Sequence, residues 1–558
     1  MEFSYISALL VMAGLFGILA KKARQPLLVG YLIAGGVASY LGFFSGGEFE
    51  SLGKIGVALL LFLVGLEMDL KEIPTIGKTA LITGLGQIGF TSFFGFLISR
   101  GLGYPVITSL YIAVALTFSS TIIIVKLLSE KRDLDSLYGK ISVGFLLVQD
   151  LVAVLILMFL AGFRTGNTGL LPFLFLLTKA ALLFFLTWYL SKKILPGIFE
   201  KVVGHSHELL FVVSIAWALG ISALVGGPLG FSFEIGGFLA GLSLSNISEH
   251  LGVANKTRPL RDFFLTLFFL SLGSQLVVGE IGTIIIPALI FSTFVFIGNP
   301  IIVMSMLGFL GYKKRTSFLA SVTVAQISEF SFILMAMGIS LGHIEGSVAS
   351  TIILVGAITM TLSTYLITGA EKIYTKIKSW LTVFEKHGSP DETCLHSEED
   401  LDNHIILIGC DRTGKRLLPF FKNNGHNLLV VDHDPNVFKR LSADKVRIIL
   451  GDATDVEILE LLNIKKSKML ICTVSSMSQN LSILEHVKAI KANTTFIGSA
   501  QTREDATHLY EKGADFVIVP EVLAGEYLRH IFLSHGVAHE RFKKMGKSHF
   551  NRLMYAKI

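Results

Sequence analysis

The sequence predicts a polytopic α-helical membrane protein that also carries a cytosolic α/β domain of Rossmann-like architecture. Three observations carry the prediction. Of 558 residues, 52% are hydrophobic and only 16% charged, where soluble proteins have about a quarter charged. The apolar excess is confined to residues 1–370, and charges return every few positions from Glu371 onward. Past that boundary, short apolar strands alternate with helical patterns, as in a parallel doubly wound sheet. The 54 glycines and 43 phenylalanines suit helices packed closely in lipid.

A membrane-crossing helix needs about 20 apolar residues. Thirteen segments qualify, near 3–21, 27–44, 52–68, 79–99, 106–126, 137–162, 170–191, 208–226, 231–247, 261–278, 283–310, 317–341 and 347–370. The first lacks a charged leader and a small-residue cleavage site, so it reads as a retained helix. Thirteen divides as six, one and six, the pattern of inverted repeats whose broken helices meet at the bilayer midplane. Span 5 then matches span 12, and span 6 matches span 13.

Short cytoplasmic loops collect Lys and Arg. With the N-terminus outside, eighteen fall in inside loops and three, Lys54, Arg100 and Arg164, in outside ones. An odd number of spans then delivers the second half to the cytoplasm of a multi-pass protein of the inner or cell membrane. The net charge of +6 reflects this topology and implies no nucleic-acid partner. Cys394, Cys410 and Cys472 all lie in the second half, unpaired by any CxxC spacing, which fits a reducing compartment.

Polar residues inside the apolar runs mark the candidate site. Span 6 places Gln149 and Asp150 about half-way across. A carboxylate at that depth costs several kcal/mol without partners or water and is a functional candidate by default. Burial disfavours the charged form and a bound cation favours it, so one buried aspartate can alternate between a proton and a cation. Span 5 holds Thr117, Ser119, Ser120 and Thr121 in TFSST. Hydroxyls at this density compete with the backbone ladder and satisfy groups freed where a helix unwinds, and such a break suits a monovalent cation that sheds water. Span 12 holds Thr323, Gln326, Ser328, Glu329 and Ser331. Glu329 reads as structural support, neutralising a dipole end or capping freed N–H groups. His205, His207, His250 and His343 fall in loops and read as solvated.

With these residues in place, the sequence resembles the cation:proton antiporter-2 family, which includes the glutathione-gated potassium efflux systems. The resemblance rests on LLLFLVGLEMDL (59–70), ALTFSSTIIIVKLL (115–128), GFLLVQDLVAV (144–154), GGFLAGLSLS (236–245), LFFLSLG (267–273) and AQISEFSFIL (325–334). It implies that Asp150 carries proton and cation and that broken spans 5 and 12 cross beside it. It also implies a core of spans 4–6 and 11–13 moving as an elevator against a homodimer scaffold of spans 1–3 and 8–10. The Gln-Asp pair resembles potassium-type members, while many sodium-type electrogenic relatives show Asn-Asp or Asp-Asp. Electrogenic members also tend to carry a lysine in the helix matching span 11, where this chain has Gly298, Asn299 and Pro300. Electroneutral K⁺/H⁺ exchange is therefore expected, with Na⁺/H⁺ exchange as the alternative. No TVGYG-like filter supports a channel, and no second catalytic domain supports an enzyme.

In the second half, residues 371–387 mix aromatics with lysines and read as an amphipathic helix on the inner membrane surface, followed by a polar linker to 402. The regulatory domain is expected over 403–525 and a tail over 526–558. Gly409-Cys410-Asp411-Arg412-Thr413-Gly414 follows a strand and opens a helix, and Asp432 ends the next strand, placed for a ribose hydroxyl. The segment resembles the nucleotide-binding regulatory domain of potassium transport systems, strengthened by ILGDATD (449–455), which contains Asp452. Asp411 replaces the middle motif glycine, and its charge opposes a pyrophosphate. NAD(H), a mononucleotide such as AMP, and a domain kept only for dimerisation all stay open. Transport itself calls for no cofactor.

Overall fold

The computed structural model describes residues 3–42, 48–67, 77–131, 133–134, 136–161, 185–199, 207–229, 233–245, 250–274, 281–384, 401–410, 412–432, 435–454, 456–474, 476–536 and 542–547, with 178, 182, 183, 247, 539 and 550 beside them. They form two compact units that divide near residue 386.

The first unit is helical. Its early helices are α1 (Phe3–Lys22), α2 (Leu27–Tyr40), α3 (Glu48–Glu67), α4 (Gly77–Gly101), α5 (Val106–Ala115), α6 (Thr121–Lys131) and α7 (Leu137–Ala161). A short α8 (Leu195–Ile198) precedes α9 (His207–Gly226), α10 (Phe233–Leu244) and α11 (His250–Ser274). The unit closes with α12 (Ile281–Thr293), α13 (Asn299–Phe309), α14 (Lys314–Ser321), α15 (Glu329–Ser340) and α16 (Gly346–Ile377). Among the described residues, six helical stretches are long and apolar enough to cross a membrane. The expected span 7 lies largely outside the described residues.

Two bundles emerge from the packing. α3 packs on α10 and α11, α2 on α11 and α1, and α9 on α10. α5 packs on α4 and α15, and α16 on α12 and α15, with α13 bridging α4 and α14. Close backbone approach explains much of the glycine content of the first bundle. A Cβ on Gly241 would stand 1.9 Å from the Phe62 carbonyl oxygen, and one on Gly273 would stand 2.1 Å from that of Leu32. In the second bundle nearly all of the apolar part of Lys314–Ser340 is buried, whereas less than a third of that of α4 is, so α14 and α15 form its centre.

The expected separate amphipathic helix over 371–387 is corrected over its described part, 371–384; residues 385–400, with most of the expected linker, lie outside the described residues. α16 continues without interruption through residue 370 to Ile377, and a 3₁₀ turn over Trp380–Phe384 follows. Side-chain contacts hold this extension to the unit. Arg315 and Glu371 form an ion pair at 2.6 Å, and the Phe318 and Tyr374 rings lie 5.9 Å apart. The helix matching span 10 likewise starts at His250, ahead of its apolar stretch, and tolerates Pro259 inside it.

The second unit is a six-stranded, all-parallel sheet in the order β3-β2-β1-β4-β5-β6. The strands are β1 (His404–Ile408), β2 (Leu428–Asp432), β3 (Arg447–Leu450), β4 (Ser467–Cys472), β5 (Thr495–Ser499) and β6 (Phe516–Ile518). Between and after them run α17 (Arg412–Asn423), α18 (Pro435–Ala443), α19 (Val456–Leu461), α20 (Met477–Ala489), α21 (Arg503–Glu511) and α22 (Pro520–His535). β1 and β2 are buried at every residue, as helices on both faces require. The expected domain end at 525 falls inside α22, which runs on to His535.

Candidate functional site

The two polar clusters of spans 5 and 12 break their helices. α5 stops at Ala115 and α6 starts at Thr121, leaving 116–120 outside regular helix. No proline forces the break. Ser120 caps the new helix by accepting from the Ile123 N–H at 3.4 Å, one of the local bonds by which hydroxyls compete with the ladder. In span 12, α14 passes through a 3₁₀ turn (Val322–Val324) before α15 starts at Glu329. There Ser328 is the cap, accepting from Phe330 N–H at 3.2 Å.

Unbroken α7 brings Asp150 to the first break. Its carboxylate is 7% exposed and accepts from the Thr121 hydroxyl at 3.0 Å. Thr121 opens α6, so Asp150 sits at a positive helix end, where an anion is favoured. Glu329, 4% exposed, occupies the first turn of α15 and accepts from the Ser328 hydroxyl at 3.2 Å. It lies within like-charge reach of Asp150.

The remaining expected residues divide by task. Gln149 clamps the unwound strand, its Oε1 accepting from Ser119 N–H at 3.2 Å. Thr117 donates to the Val114 carbonyl at 2.7 Å. The Ser119 hydroxyl is buried and makes no hydrogen bond to a described residue. Gln326 accepts from Ser363 of α16 at 2.6 Å. Asn299 donates through Nδ2 to the Leu116 carbonyl at 3.1 Å, which places a neutral amide at the negative end of α5. His343 is half-buried, with Nδ1 2.9 Å from the Tyr111 hydroxyl, so the expectation of a merely solvated loop histidine is corrected.

Two participants, Gln87 and Thr91, have no prominence in the sequence, and Ser331 of the span 12 cluster joins them. Gln87 of α4 accepts from Gln149 Nε2 at 2.7 Å and donates to the Thr117 carbonyl at 3.1 Å. Thr91 donates to Asn299 Oδ1 at 2.9 Å. Ser331 donates to the Ala115 carbonyl at 2.6 Å. A lone amide in the run TGLGQIGF is the only signal that could have drawn attention to Gln87.

In the second unit, Gly409 has φ +83°, a left-handed turn that favours glycine. A Cβ on Gly414 would stand 2.0 Å from the Gly409 carbonyl oxygen, so the last motif glycine is needed for helix-on-strand packing. Asp432 accepts from Cys410 N–H at 2.7 Å, tying the end of β2 to the glycine turn. Asp452 accepts from the N–H and hydroxyl of Thr454 at 2.9 and 2.7 Å. Arg412 and Thr413 open α17, and Asp411 lies outside the described residues. Gly409 and Gly414 thus occupy the glycine positions of a nucleotide-binding turn, while the residue type at 411, an aspartate, opposes a pyrophosphate. Burial pushes the Cys472 thiol up to about 12, which makes it unreactive at neutral pH.

Comparisons with known proteins bear on both units. Residues 7–369 match the transmembrane sodium/hydrogen exchanger family, and residues 405–520 match the TrkA-N domain. YbaL of Escherichia coli (strain K12), assigned as a cation/proton antiporter, is 28% identical over 92% of this chain and 94% of its own length. KefB of Alkalimonas amylolytica, assigned as a K⁺ efflux antiporter, is 24% identical over 94% of this chain and 80% of its own. KefC of Cronobacter sakazakii, a glutathione-regulated potassium-efflux system protein, is 25% identical over 87% and 77% respectively.

Proposed function

Because the chain belongs to the sodium/hydrogen exchanger family, in its cation:proton antiporter-2 branch, and carries a TrkA-N domain, we propose that it exchanges K⁺ for H⁺ across a membrane on Asp150. The observation that carries this reading is a buried carboxyl at the end of a broken helix, bonded to Thr121. Asp150, Thr121, Thr117, Ser119, Ser120 and Gln149 form the ion site, with Glu329, Gln326, Ser328 and Asn299 as supports. A proton on Asp150 removes the charge that holds the cation, and an arriving cation expels the proton, so the two compete for one group. Na⁺ is the second reading for the cation, favoured by the sodium/hydrogen exchanger profile that spans the membrane unit.

Asn299 supports electroneutral exchange, since the amide at the α5 terminus brings no second titrating charge. The bundle of α4–α7 with α12–α16 is the moving core of an elevator, and the bundle of α1–α3 with α9–α11 is the scaffold of a homodimer. The N-terminus lies outside and the TrkA-N unit is cytoplasmic. That domain regulates transport, with a mononucleotide such as AMP as the ligand favoured at Gly409, Arg412, Thr413, Gly414, Asp432 and Asp452 and NAD(H) opposed by the charge of Asp411; no step of the exchange runs through the nucleotide. Proteoliposome exchange followed with an internal pH dye, titrating K⁺, Na⁺, Rb⁺ and Li⁺, tests the central assignment. Cation-driven proton flux is expected in the natural chain and lost in Asp150→Asn, and its retention there would overturn the reading.

A further inference from the structure

The hydrogen bonds around the first break form a directed circuit. Ser119 N–H can only donate, so the atom of Gln149 that meets it must be Oε1. That turns Gln149 Nε2 towards α4, where it meets Gln87 Oε1. Gln87 Nε2 is left to donate, and it does so twice, to the Thr117 carbonyl and to Thr91 Oγ1, each at 3.1 Å. The Thr91 hydroxyl passes its own proton to Asn299 Oδ1, and Asn299 Nδ2 ends the circuit on the Leu116 carbonyl. The circuit therefore leaves the unwound strand at residue 119 and returns to it at residue 116. Two backbone groups of fixed polarity dictate the orientation of all three amides. Gln87, Thr91, Gln149, Asn299, Thr117 and Ser119 are all fully buried, so no solvent competes for these bonds.

We propose that Gln87 is a positioning residue that sets the cation specificity of the exchange site. The proposal rests on Asp150 being the exchanging carboxyl. Gln87 is the one member that grips the strand directly at Thr117 and indirectly at Ser119 through Gln149. By fixing both points it sets where the Ser119 and Thr121 hydroxyls stand relative to Asp150. A dehydrated ion must fill that gap, and a strand free to close in accommodates a smaller ion better. Gln87 thereby holds the site open for K⁺.

The test measures KM and maximal rate for K⁺ and Na⁺ in proteoliposomes for the natural chain, Gln87→Met, Thr91→Val and Thr83→Val. Thr83 is a buried residue of α4 whose hydroxyl makes no hydrogen bond to a described residue, so its variant controls for general loosening of the helix. Gln87→Met removes three buried hydrogen bonds and should raise the KM for K⁺ at least about tenfold, the effect of one such bond reaching the ion site. It should change the KM for Na⁺ less than about threefold, and Thr91→Val should shift the ratio in the same direction by a smaller factor. Thr83→Val should leave the ratio unchanged. If Gln87→Met does not fold, Thr91→Val carries the test alone, because it deletes one hydroxyl at nearly constant volume. An unchanged K⁺/Na⁺ KM ratio in folded variants, or an equal shift in Thr83→Val, overturns the proposal. Failure of the underlying reading is separate, since it shows as exchange retained in Asp150→Asn.

Discussion

Individual residues around the first break do different things, and substitutions separate them. Asn299 is the clearest case, because its amide serves both a backbone carbonyl and Thr91. Asn299→Ala leaves the buried Leu116 carbonyl unpaired, a cost of about 1–3 kcal/mol, and should lower the melting temperature of the detergent-solubilised protein. Asn299→Lys instead inserts a charge at the negative end of α5, and a voltage imposed on proteoliposomes should then change the exchange rate. In the second unit, His404 is fully buried; desolvation holds its pKa below the ordinary value of 6.5, against the pull of its bond to the Leu462 carbonyl. The folded state then binds fewer protons than the unfolded one, so stability is lost as pH falls below about 6.5. Melting the 401–536 segment between pH 8 and 5 should show that decline, and His404→Gln should flatten it. Asp150 was legible in the sequence because charge is so scarce there. Gln87 was not, since its importance comes from partners on the unwound 116–120 stretch, on α7 and, through Thr91, on α13, which no local pattern of residues records.

Among the elements, breaks and continuations matter more than helix count. Both breaks lie within the hydroxyl clusters that the sequence singled out, because Ser120 and Ser328 cap the second half-helices. The end of α16 was misplaced because the change from apolar to charged composition marks where lipid stops, whereas the helix stops where its packing does. That difference yields a prediction from two truncations. A chain ending at 386 keeps the Arg315–Glu371 pair and the turn over Trp380–Phe384, and should remain folded and monodisperse. A chain ending at 370 loses both and should melt lower or aggregate, as size-exclusion chromatography would show. Glycine contacts give the second test. Gly241→Ile drives a branched side chain into the Phe62 carbonyl and should abolish recovery of folded protein, an overpacking beyond the usual cost of about 1–3 kcal/mol.

For the whole molecule, composition separates two unlike parts near residue 370. Short, continuously apolar strands alternating with helical patterns, together with a glycine turn, specified the parallel sheet, and longer apolar runs specified the membrane half. Which helices form which bundle could not be read locally, since glycine-mediated contacts such as Gly273 on Leu32 join segments more than two hundred positions apart. The regulatory unit supplies a prediction at this scale. Isothermal titration of the full chain should detect AMP bound more tightly than NAD(H), with Gly414→Ala losing the interaction because the added methyl meets the Gly409 carbonyl. Removing Asp411 by Asp411→Gly should tighten a pyrophosphate ligand, by the charge argument above.

The neutral amide at position 299, on which the proposed one-for-one stoichiometry rests, also implies an end point. On the one-for-one stoichiometry we propose, membrane voltage cancels from the equilibrium condition, and the inside-to-outside ratio of the metal cation settles at the inside-to-outside ratio of protons. Each pH unit across the membrane then sustains about a tenfold cation gradient and no more. A cell that energises its membrane mainly as voltage would gain little concentrating power from such a protein. One that acidifies or alkalinises a compartment would have its cation content set by that compartment's pH.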